Sequence, residues 1–409
     1  MKVRHSWTRA AGIALMLTFA MVAASCSGAQ PSATASHPST KPISSLPEGS
    51  SSSTTAPSFE QETFPPCASS VDIGKWSSDR LAAQMLAVSA NMGALSDISQ
   101  AVRDGVGGIV LMGNSPSPNL KSEIANLKQS ATGAVTPIFM TDEEGGGIQR
   151  LSALVASMPW PRSMAATMSI SQVESLSYKV GQGMRSLGVD MDLAPVVDLD
   201  AGPGPSSTNP DGRRSFSADA STTVKYANAF IAGLAKAGVT SVIKHFPGLG
   251  GASGNTDFAA AITLPYPKLL RTGLIPFQAL AQNAKAVMIS NASVPGLTNG
   301  VPASLSSKAI SVLRRVIGFR GLIMSDSLET VSIASYQPDL AKAAVESAEG
   351  GVNMVMLASG NPNQTANFIS VRRALSQAIE SSAFQRVEAE ASVAKILALK
   401  GFMPSCIYY

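Results

Sequence analysis

The sequence predicts an α/β fold of the TIM type, a (β/α)8 barrel formed as a single domain by residues 67–409. Short apolar runs that end in Gly, Asp, Asn or Ser alternate with amphipathic stretches of helical length, which is typical of βα units around a parallel sheet. Eight such runs are present, the number that a closed barrel needs. The region contains neither a second low-complexity break nor a short internal repeat, so one large domain is favoured over two small ones.

The predicted elements follow one another along the whole of this region. The strand candidates are residues 85–89, 108–112, 137–141, 189–195, 241–244, 286–290, 321–325 and 352–357. The helix candidates are residues 172–186, 222–237, 268–281, 307–316 and 340–349, with a further helical region near 366–400. A doubly wound open sheet is the competing architecture, and the lack of a Gly-x-Gly-x-x-Gly turn after the first strand disfavours it.

The first 25 residues have the pattern of a secretory signal peptide. Lys2, Arg4 and Arg9 precede an apolar run over residues 11–24, which is too short to span a bilayer comfortably. The run is followed by Ala-Ala-Ser-Cys, which resembles the lipobox at which bacteria cleave the signal and attach lipid to the cysteine, here Cys26. We therefore expect an exported protein, lipid-anchored at the outer face of the cytoplasmic membrane; a plain signal peptide or an uncleaved anchor is the alternative.

The segment that follows predicts a tether. Residues 26–66 comprise the lipobox cysteine and a stretch rich in Ser, Thr, Pro and Ala with almost no large aliphatic residues, so they cannot bury enough apolar surface to offset the entropy of ordering. The formal charge of +4 includes the three basic residues of the signal, which leaves the mature chain near +1. We expect no nucleic-acid partner, because no basic footprint is present.

Two further cysteines lie one at each end of the predicted domain. In an oxidising compartment Cys67 and Cys406 could form a disulfide that ties the two ends together. Two free thiols are the alternative, since the sequence does not show whether their Cα atoms come within bonding distance.

Polar residues cluster where four of the predicted strands end, and in a barrel of this kind the active site is assembled there. The third strand, the fourth strand with its loop, the fifth and the seventh contribute Asp142, Arg150, Asp198, Arg214, Lys244, His245 and Asp326. Carboxylates, cations and a histidine on one rim suit recognition of a hydroxyl-rich or anionic small molecule. Each residue alone has a bland interpretation, such as a helix cap, a solvated arginine or a core histidine, and it is the coincidence of four strand ends that favours a site.

These motifs resemble the N-terminal barrel domain of glycoside hydrolase family 3, in particular its single-domain branch of β-N-acetylglucosaminidases that act on peptidoglycan fragments. The most specific pieces are Asp-Glu-Glu-Gly-Gly at 142–146 with Gln-Arg at 149–150, Lys-His-Phe-Pro-Gly at 244–248 and Ser-Asp-Ser-Leu at 325–328. The resemblance covers nearly all of residues 67–400. It implies an O-glycosyl hydrolase, a monomer without cofactor, whose substrate is a saccharide containing N-acetylglucosamine.

The resemblance also implies roles for the rim residues. Asp326 looks like the nucleophile of a retaining mechanism, in which a carboxylate forms a covalent glycosyl-enzyme. The family's sugar-binding positions correspond to Asp142, Arg150, Arg214, Lys244 and His245. Asp142 would accept hydrogen bonds from sugar hydroxyls, and the cations would donate to hydroxyls or to the acetamido carbonyl.

The chain departs from the family pattern at the general acid/base. The loop after the fifth strand normally reads Lys-His-Phe-Pro-Gly-His-Gly, and an Asp-Ser-His follows in which the histidine transfers the proton. Here Leu249 replaces the first histidine, and Asn255-Thr256-Asp257 stands in place of Asp-Ser-His. The sixth strand ends in Ser290-Asn291, where relatives often have a histidine, and the whole chain has three histidines, His5, His37 and His245. With so few histidines, we expect no zinc site.

Three outcomes follow from this replacement. Asp257 takes over proton transfer, if burial or a neighbouring anion raises its pKa; or the enzyme acts only on substrates with good leaving groups; or the barrel binds sugar without turnover. The leading hypothesis is thus a β-N-acetylhexosaminidase active on cell-wall saccharides, and its closest alternative is a catalytically impaired carbohydrate-binding lipoprotein. A two-lobed solute-binding lipoprotein is a third hypothesis, which a single closed barrel would exclude.

Overall fold

A computed structural model of the chain describes residues 71–359 and 363–402. These residues form one compact unit. The predicted signal, the tether and the three cysteines, Cys26, Cys67 and Cys406, lie outside the described residues. No helix of the described part of the chain is long and apolar enough to cross a membrane.

Eight parallel strands form the barrel, which confirms the predicted fold class. Within the described residues ten strands occur in chain order: β1 Leu86–Asn91, β2 Gly108–Met112, β3 Ile138–Thr141, β4 Glu143–Gly145, β5 Ile148–Gln149, β6 Met191–Asp192, β7 Thr240–Phe246, β8 Ala286–Ile289, β9 Leu322–Ser325 and β10 Val355–Leu357. The barrel order is β10-β1-β2-β3-β6-β7-β8-β9. The ring closes between β9 and β10 through a parallel bridge from Met324 to Met354. A single closed barrel excludes the two-lobed solute-binding hypothesis.

The barrel strands are apolar on both faces because helices surround them. The side chains of β2, for example, read Gly-Ile-Val-Leu-Met and are buried up to the last residue, as expected of a parallel sheet covered on both sides. The helices are α1 Ser78–Gln84, α2 Ser99–Arg103, α3 Leu120–Ser130, α4 Pro161–Thr167, α5 Ile170–Leu187, α6 Ala220–Lys236, α7 Tyr266–Leu269, α8 Leu274–Leu280, α9 Ser307–Ser311, α10 Val331–Tyr336, α11 Leu340–Glu349, α12 Gln364–Glu380 and α13 Arg386–Leu399.

Sequence signals at the ends of α5 explain its length. Ser169 accepts a hydrogen bond from the backbone of Gln172, whose side chain in turn accepts from the backbone of Ser169, so the helix begins with a capping box. Gly188 ends the helix in the left-handed region, with φ of 90°.

One predicted helix is interrupted in the structure, and the predicted helical region at the end of the chain consists of two helices. Residues 268–281 form α7 and α8 instead of one helix. The break lies at Gly273, where the loop after β7 packs against the backbone: a Cβ on Gly248 of that loop would lie 2.9 Å from the Cα of Gly273. The region 366–400 forms α12 and α13. Between them Ser382 has φ of 61°, and this turn lets Phe384 bury its ring.

Candidate active site

The C-terminal ends of the barrel strands surround a cavity of about 420 Å³. All seven predicted catalytic and sugar-binding residues line it: Asp142, Arg150, Arg214, Lys244, His245, Asp257 and Asp326. These residues are distant in the sequence: Asp142 and Asp326, the first and the last of them, are 184 residues apart. A concave site that gathers convergent polar groups at this face of a barrel is the expected location of an active site.

A short hairpin that the sequence analysis did not predict positions the first of these residues. Strands β4 and β5 pair antiparallel directly after β3, and the backbone N–H of Arg150 donates to the carbonyl of Asp142 at 3.1 Å. The hairpin turn packs against the Trp160 ring so closely that a Cβ on Gly146 would lie 2.1 Å from it. The Gly-Gly of this motif is therefore required for packing rather than for flexibility.

A network of buried charges forms the floor of the cavity. The Nζ atom of Lys244 lies 2.7 Å from Oδ1 of Asp142 and 2.6 Å from Oε1 of Glu144. Arg214 donates to both carboxylate oxygens of Glu144 through Nε and Nη2, each at 2.8 Å. Two carboxylates and two cations balance one another, and the bidentate geometry fixes their orientation.

The electrostatics of this network keep Glu144 and Lys244 charged. Burial alone would raise the pKa of Glu144, but Arg214 and Lys244 overcome it and hold that pKa well below its usual range. Burial alone would likewise lower the pKa of Lys244, whereas Asp142 and Glu144 raise it. Lys244 is therefore a fixed ammonium that can hold Asp142 in place beside a ligand and does not exchange protons with it.

His245 is held as a neutral ring. Burial, followed by the adjacent Arg214, lowers the pKa of His245 to about 4. Its Nδ1 lies 2.7 Å from Oδ2 of Asp198, and its Nε2 lies 3.4 Å from Nη2 of Arg214. Because the carboxylate accepts from Nδ1, Nε2 carries no proton, and a neutral ring of this kind is a poor general acid.

A second carboxyl group lies behind this histidine. The ligand-type atoms of Asp198, Asp211 and His245 come within 4.8 Å of one another, which is close enough for a metal ion. However, both ring nitrogens already have partners, and Asp198 also accepts from the backbone of Leu249 at 2.6 Å. Burial and the neighbouring Asp198 raise the pKa of Asp211 well above its ordinary range. The trio is therefore better described as a buried group in which Asp198 orients His245 through Nδ1 and Asp211 lies beside them.

Asp326 follows the last residue of β9 and projects into the cavity. The backbone N–H of Ser327 donates to its Oδ1 at 2.7 Å, and the Ser327 hydroxyl accepts from the backbone of Ala358 at 3.1 Å, which fixes this loop to the segment after β10. Burial raises the pKa of Asp326, Asp257 raises it further, and the Ser327 N–H and Lys244 oppose the effect. Asp326 and His245 line the same cavity.

Asp257 stands at the mouth of the cavity on the loop after β7. Its backbone N–H donates to Oδ1 of Asn255 at 2.9 Å, and the carbonyl of the buried Thr256 accepts from the backbone of Ser332. Desolvation in the cavity raises the pKa of Asp257, although Arg214 opposes the effect. A raised pKa is the direction that a carboxyl group needs to remain protonated as a general acid.

Besides Asp257, two positions at which the family pattern has histidine have structural roles here. Leu249 is buried and packs with Ala261 and Ala292 in a small apolar cluster beside the cavity. Asn291 donates to the carbonyl of Ser327 at 2.6 Å and accepts from the hydroxyl of Ser304 at 2.6 Å. Neither residue can transfer a proton to a sugar.

Two cavity residues are not among the candidates that the sequence predicts. Glu144 lies within the motif at 142–146, and its carboxylate joins Lys244 to Arg214. Glu329 lines the cavity, and its carboxylate accepts from the side-chain amides of Gln364 and Asn367 at 2.8 and 2.6 Å. Its position three residues after Asp326 is the signal by which it could have been found.

The fold and this site define a class of protein, and comparison with known families gives the same class. Residues 79–399 match the model of the glycosyl hydrolase family 3 N-terminal domain. The chain therefore belongs to glycosyl hydrolase family 3, a family of O-glycosyl hydrolases, as the sequence motifs predict.

Particular relatives can be named within the family. The chain is 32% identical over 309 residues to the β-hexosaminidase LpqI of Mycobacterium tuberculosis, which covers 74% of this chain and 77% of that protein. The solved structure of M. tuberculosis LpqI matches with a TM-score of 0.73 at 30% identity, covering 83% of this chain and 99% of the other. A β-N-acetylhexosaminidase from Beutenbergia cavernae matches with a TM-score of 0.72 at 25% identity, covering 80% and 99%.

Proposed function

We propose that this chain is a retaining β-N-acetylhexosaminidase that acts on saccharides derived from the cell wall. The observation that carries the proposal is the cavity itself, in which Asp326 and Asp257 share a sugar-sized space with a pre-formed set of hydrogen-bonding groups. The names of the relatives, β-hexosaminidase and β-N-acetylhexosaminidase, support the choice of substrate.

In the proposed mechanism the Asp326 carboxylate attacks the anomeric carbon. The bond from that carbon to the leaving oxygen breaks, and the oxygen takes a proton from Asp257. Water then attacks the glycosyl ester, gives its proton back to Asp257 and releases Asp326. Burial raises the pKa of Asp326, and the fixed ammonium of Lys244 opposes this effect, which favours the ionised form that attacks.

The remaining residues bind and orient the sugar. Asp142 accepts hydrogen bonds from sugar hydroxyls, while its Oδ1 is held by the ammonium of Lys244. Arg214 and Arg150 donate to hydroxyls or to the acetamido carbonyl. Arg150 is positioned by Asn114, whose Oδ1 accepts from Nη1 at 2.8 Å. Such fixed donors and acceptors lower the cost of ordering the site when substrate binds.

We further propose export and attachment to the outer face of the cytoplasmic membrane through lipid on Cys26. A basic region, an apolar run and Ala-Ala-Ser-Cys precede a long polar stretch in the sequence. A tether of this composition would let the barrel reach wall polymer from a membrane anchor. Metabolic labelling with a fatty-acid probe tests the proposal, since a Cys26→Ser variant should lose the label.

One observation favours catalytic impairment as a second candidate function. The carboxylate of Asp257 makes no hydrogen bond to any residue in the described part of the chain, and Asp257 is exposed. A general acid that is not oriented by a partner transfers its proton less efficiently. A barrel with this defect would bind sugar and hydrolyse it slowly or not at all.

The test compares an aryl N-acetyl-β-glucosaminide with a natural disaccharide of N-acetylglucosamine. Turnover of both indicates that Asp257 is a competent acid, and this is the result we expect. Turnover of the aryl glycoside alone indicates that protonation of the leaving group fails. Binding of N-acetylglucosamine without turnover of either substrate would contradict the proposed hydrolase and support the carbohydrate-binding function.

A further inference from the structure

A second cavity, of about 410 Å³, lies at the N-terminal ends of the barrel strands. We call it the basal cavity; its charged lining residues are Lys285, Arg320 and Lys395. Lys285 immediately precedes β8, Arg320 lies two residues before β9, and Lys395 is on α13. Since the candidate active site is at the C-terminal ends of the same strands, the basal cavity opens on the opposite face.

The charges around the basal cavity all have one sign. Arg314 lies behind Arg320 and donates to the carbonyls of Phe319 and Gly321 at 3.0 and 2.8 Å. None of the ion pairs formed among residues 71–359 and 363–402 includes Lys285, Arg314, Arg320 or Lys395. The candidate active site is the opposite case, because there each buried cation has a carboxylate partner.

The cations also destabilise one another. Burial, followed by the charge of Arg320, lowers the pKa of Arg314 to about 10. Burial, followed by Arg314 and Arg320, lowers the pKa of Lys395. An anion between these groups would relieve the repulsion. The attraction between opposite charges is stronger near a protein surface than in bulk water.

We propose that the basal cavity binds a phosphate group carried by a larger molecule. Arginine presents a planar fork that matches phosphate oxygens, and lysine adds a mobile point charge, so Arg320 with two lysines suits a multiply charged oxyanion. The basal cavity is much larger than a single phosphate. Its volume of about 410 Å³ is more than ten times the roughly 30 Å³ that one water occupies in the liquid. There is consequently room for the sugar, glycerol or nucleoside to which the phosphate is attached.

Isothermal titration with inorganic phosphate and with glycerol 3-phosphate, at constant ionic strength, tests the proposal. The variant is Arg320→Gln combined with Lys395→Gln. The matched control, Lys121→Gln with Lys179→Gln, removes the same charge from exposed lysines of other helices. We expect the Kd of the variant to rise about tenfold or more and that of the control to change less than about twofold, because only the variant removes charge-assisted hydrogen bonds.

A single variant keeps the test decisive if the double variant does not fold. Arg320→Gln breaks no side-chain hydrogen bond of the described structure, because only its backbone carbonyl is bonded, to Nζ of Lys395 at 3.1 Å. It should fold normally and still weaken phosphate binding. Absence of phosphate binding to the unaltered protein, or equal binding by Arg320→Gln, would overturn the proposal.

The phosphate could be part of a soluble molecule or of a lipid headgroup, and sedimentation with vesicles separates the two sources. Vesicles of phosphatidylglycerol are compared with vesicles of phosphatidylcholine, using the unaltered chain and Arg320→Gln with the same N-terminus. Binding to phosphatidylglycerol that Arg320→Gln weakens identifies a headgroup. Binding of free phosphates without this difference identifies a soluble ligand, and both results support the phosphate site.

Discussion

Glu144 offers a quantitative test of the charge network, through the substitution Glu144→Gln. The side chain is 1% exposed and contacts Lys244 at 2.6 Å and Arg214 twice at 2.8 Å. Removing one partner of a buried ion pair costs about 3–5 kcal/mol, because the remaining charge is left uncompensated. In the variant Lys244 still has Asp142 as an ion-pair partner, and the glutamine oxygen can still accept a hydrogen bond. We therefore expect a cost at the lower end of this range, about 3 kcal/mol.

Urea denaturation at pH 7 measures this loss of unfolding free energy, and the slope with denaturant should not change. The matched control is Glu388→Gln, which removes the same charge from an exposed position on α13. It should change stability by less than about 0.5 kcal/mol. A cost below about 1 kcal/mol for Glu144→Gln, or a cost equal to that of the control, would refute the view that this network is tightly coupled.

Three further predictions concern proton transfer, pH and packing. Asp257→Asn should lower kcat/KM about 10²–10⁴-fold on a natural disaccharide, less on an aryl glycoside, and should abolish the alkaline limb of the pH profile; an unchanged profile would remove Asp257 from the mechanism. Burial raises the pKa of Glu143 from 4.5 to about 7. Its contribution to stability is therefore present below pH 4.5 and is lost as pH rises through 7. In thermal melts the unfolding free energy of Glu143→Gln should vary with pH by up to about 3 kcal/mol less than that of the unaltered protein. Gly146→Ala would collide with Trp160 and should destabilise the protein by about 1–3 kcal/mol more than Gly105→Ala, where a Cβ meets nothing within 4 Å; equal losses in denaturation would contradict the packing argument.

The barrel strands were predictable because each is a short apolar run with a polar end. Strand β2 has the predicted bounds and β9 begins one residue late. The prediction was less accurate at 189–195, where the regular strand β6 is confined to Met191–Asp192. Beyond it, Pro195 has no N–H to donate to a neighbouring strand, although Val197 still bonds to the carbonyl of Lys244.

The residues of the site were predictable from motif and strand position, but their partners were not. Glu144 becomes the centre of the network only because the β4–β5 hairpin brings it between two cations that are distant in sequence. The break between α7 and α8 was likewise hidden, since it depends on a backbone contact between Gly248 and Gly273. Apolar periodicity reports burial within one element and carries no information about contacts of this kind.

Covalent trapping tests most directly whether Asp326 is the nucleophile of a retaining reaction. The protein is incubated with an activated fluorosugar, digested and analysed by mass spectrometry. We predict a single glycosyl adduct on the peptide that contains Asp326, and none in the Asp326→Asn variant. An adduct on another carboxylate such as Asp257, or turnover of substrate with no adduct at all, would contradict the assignment of Asp326 as the nucleophile.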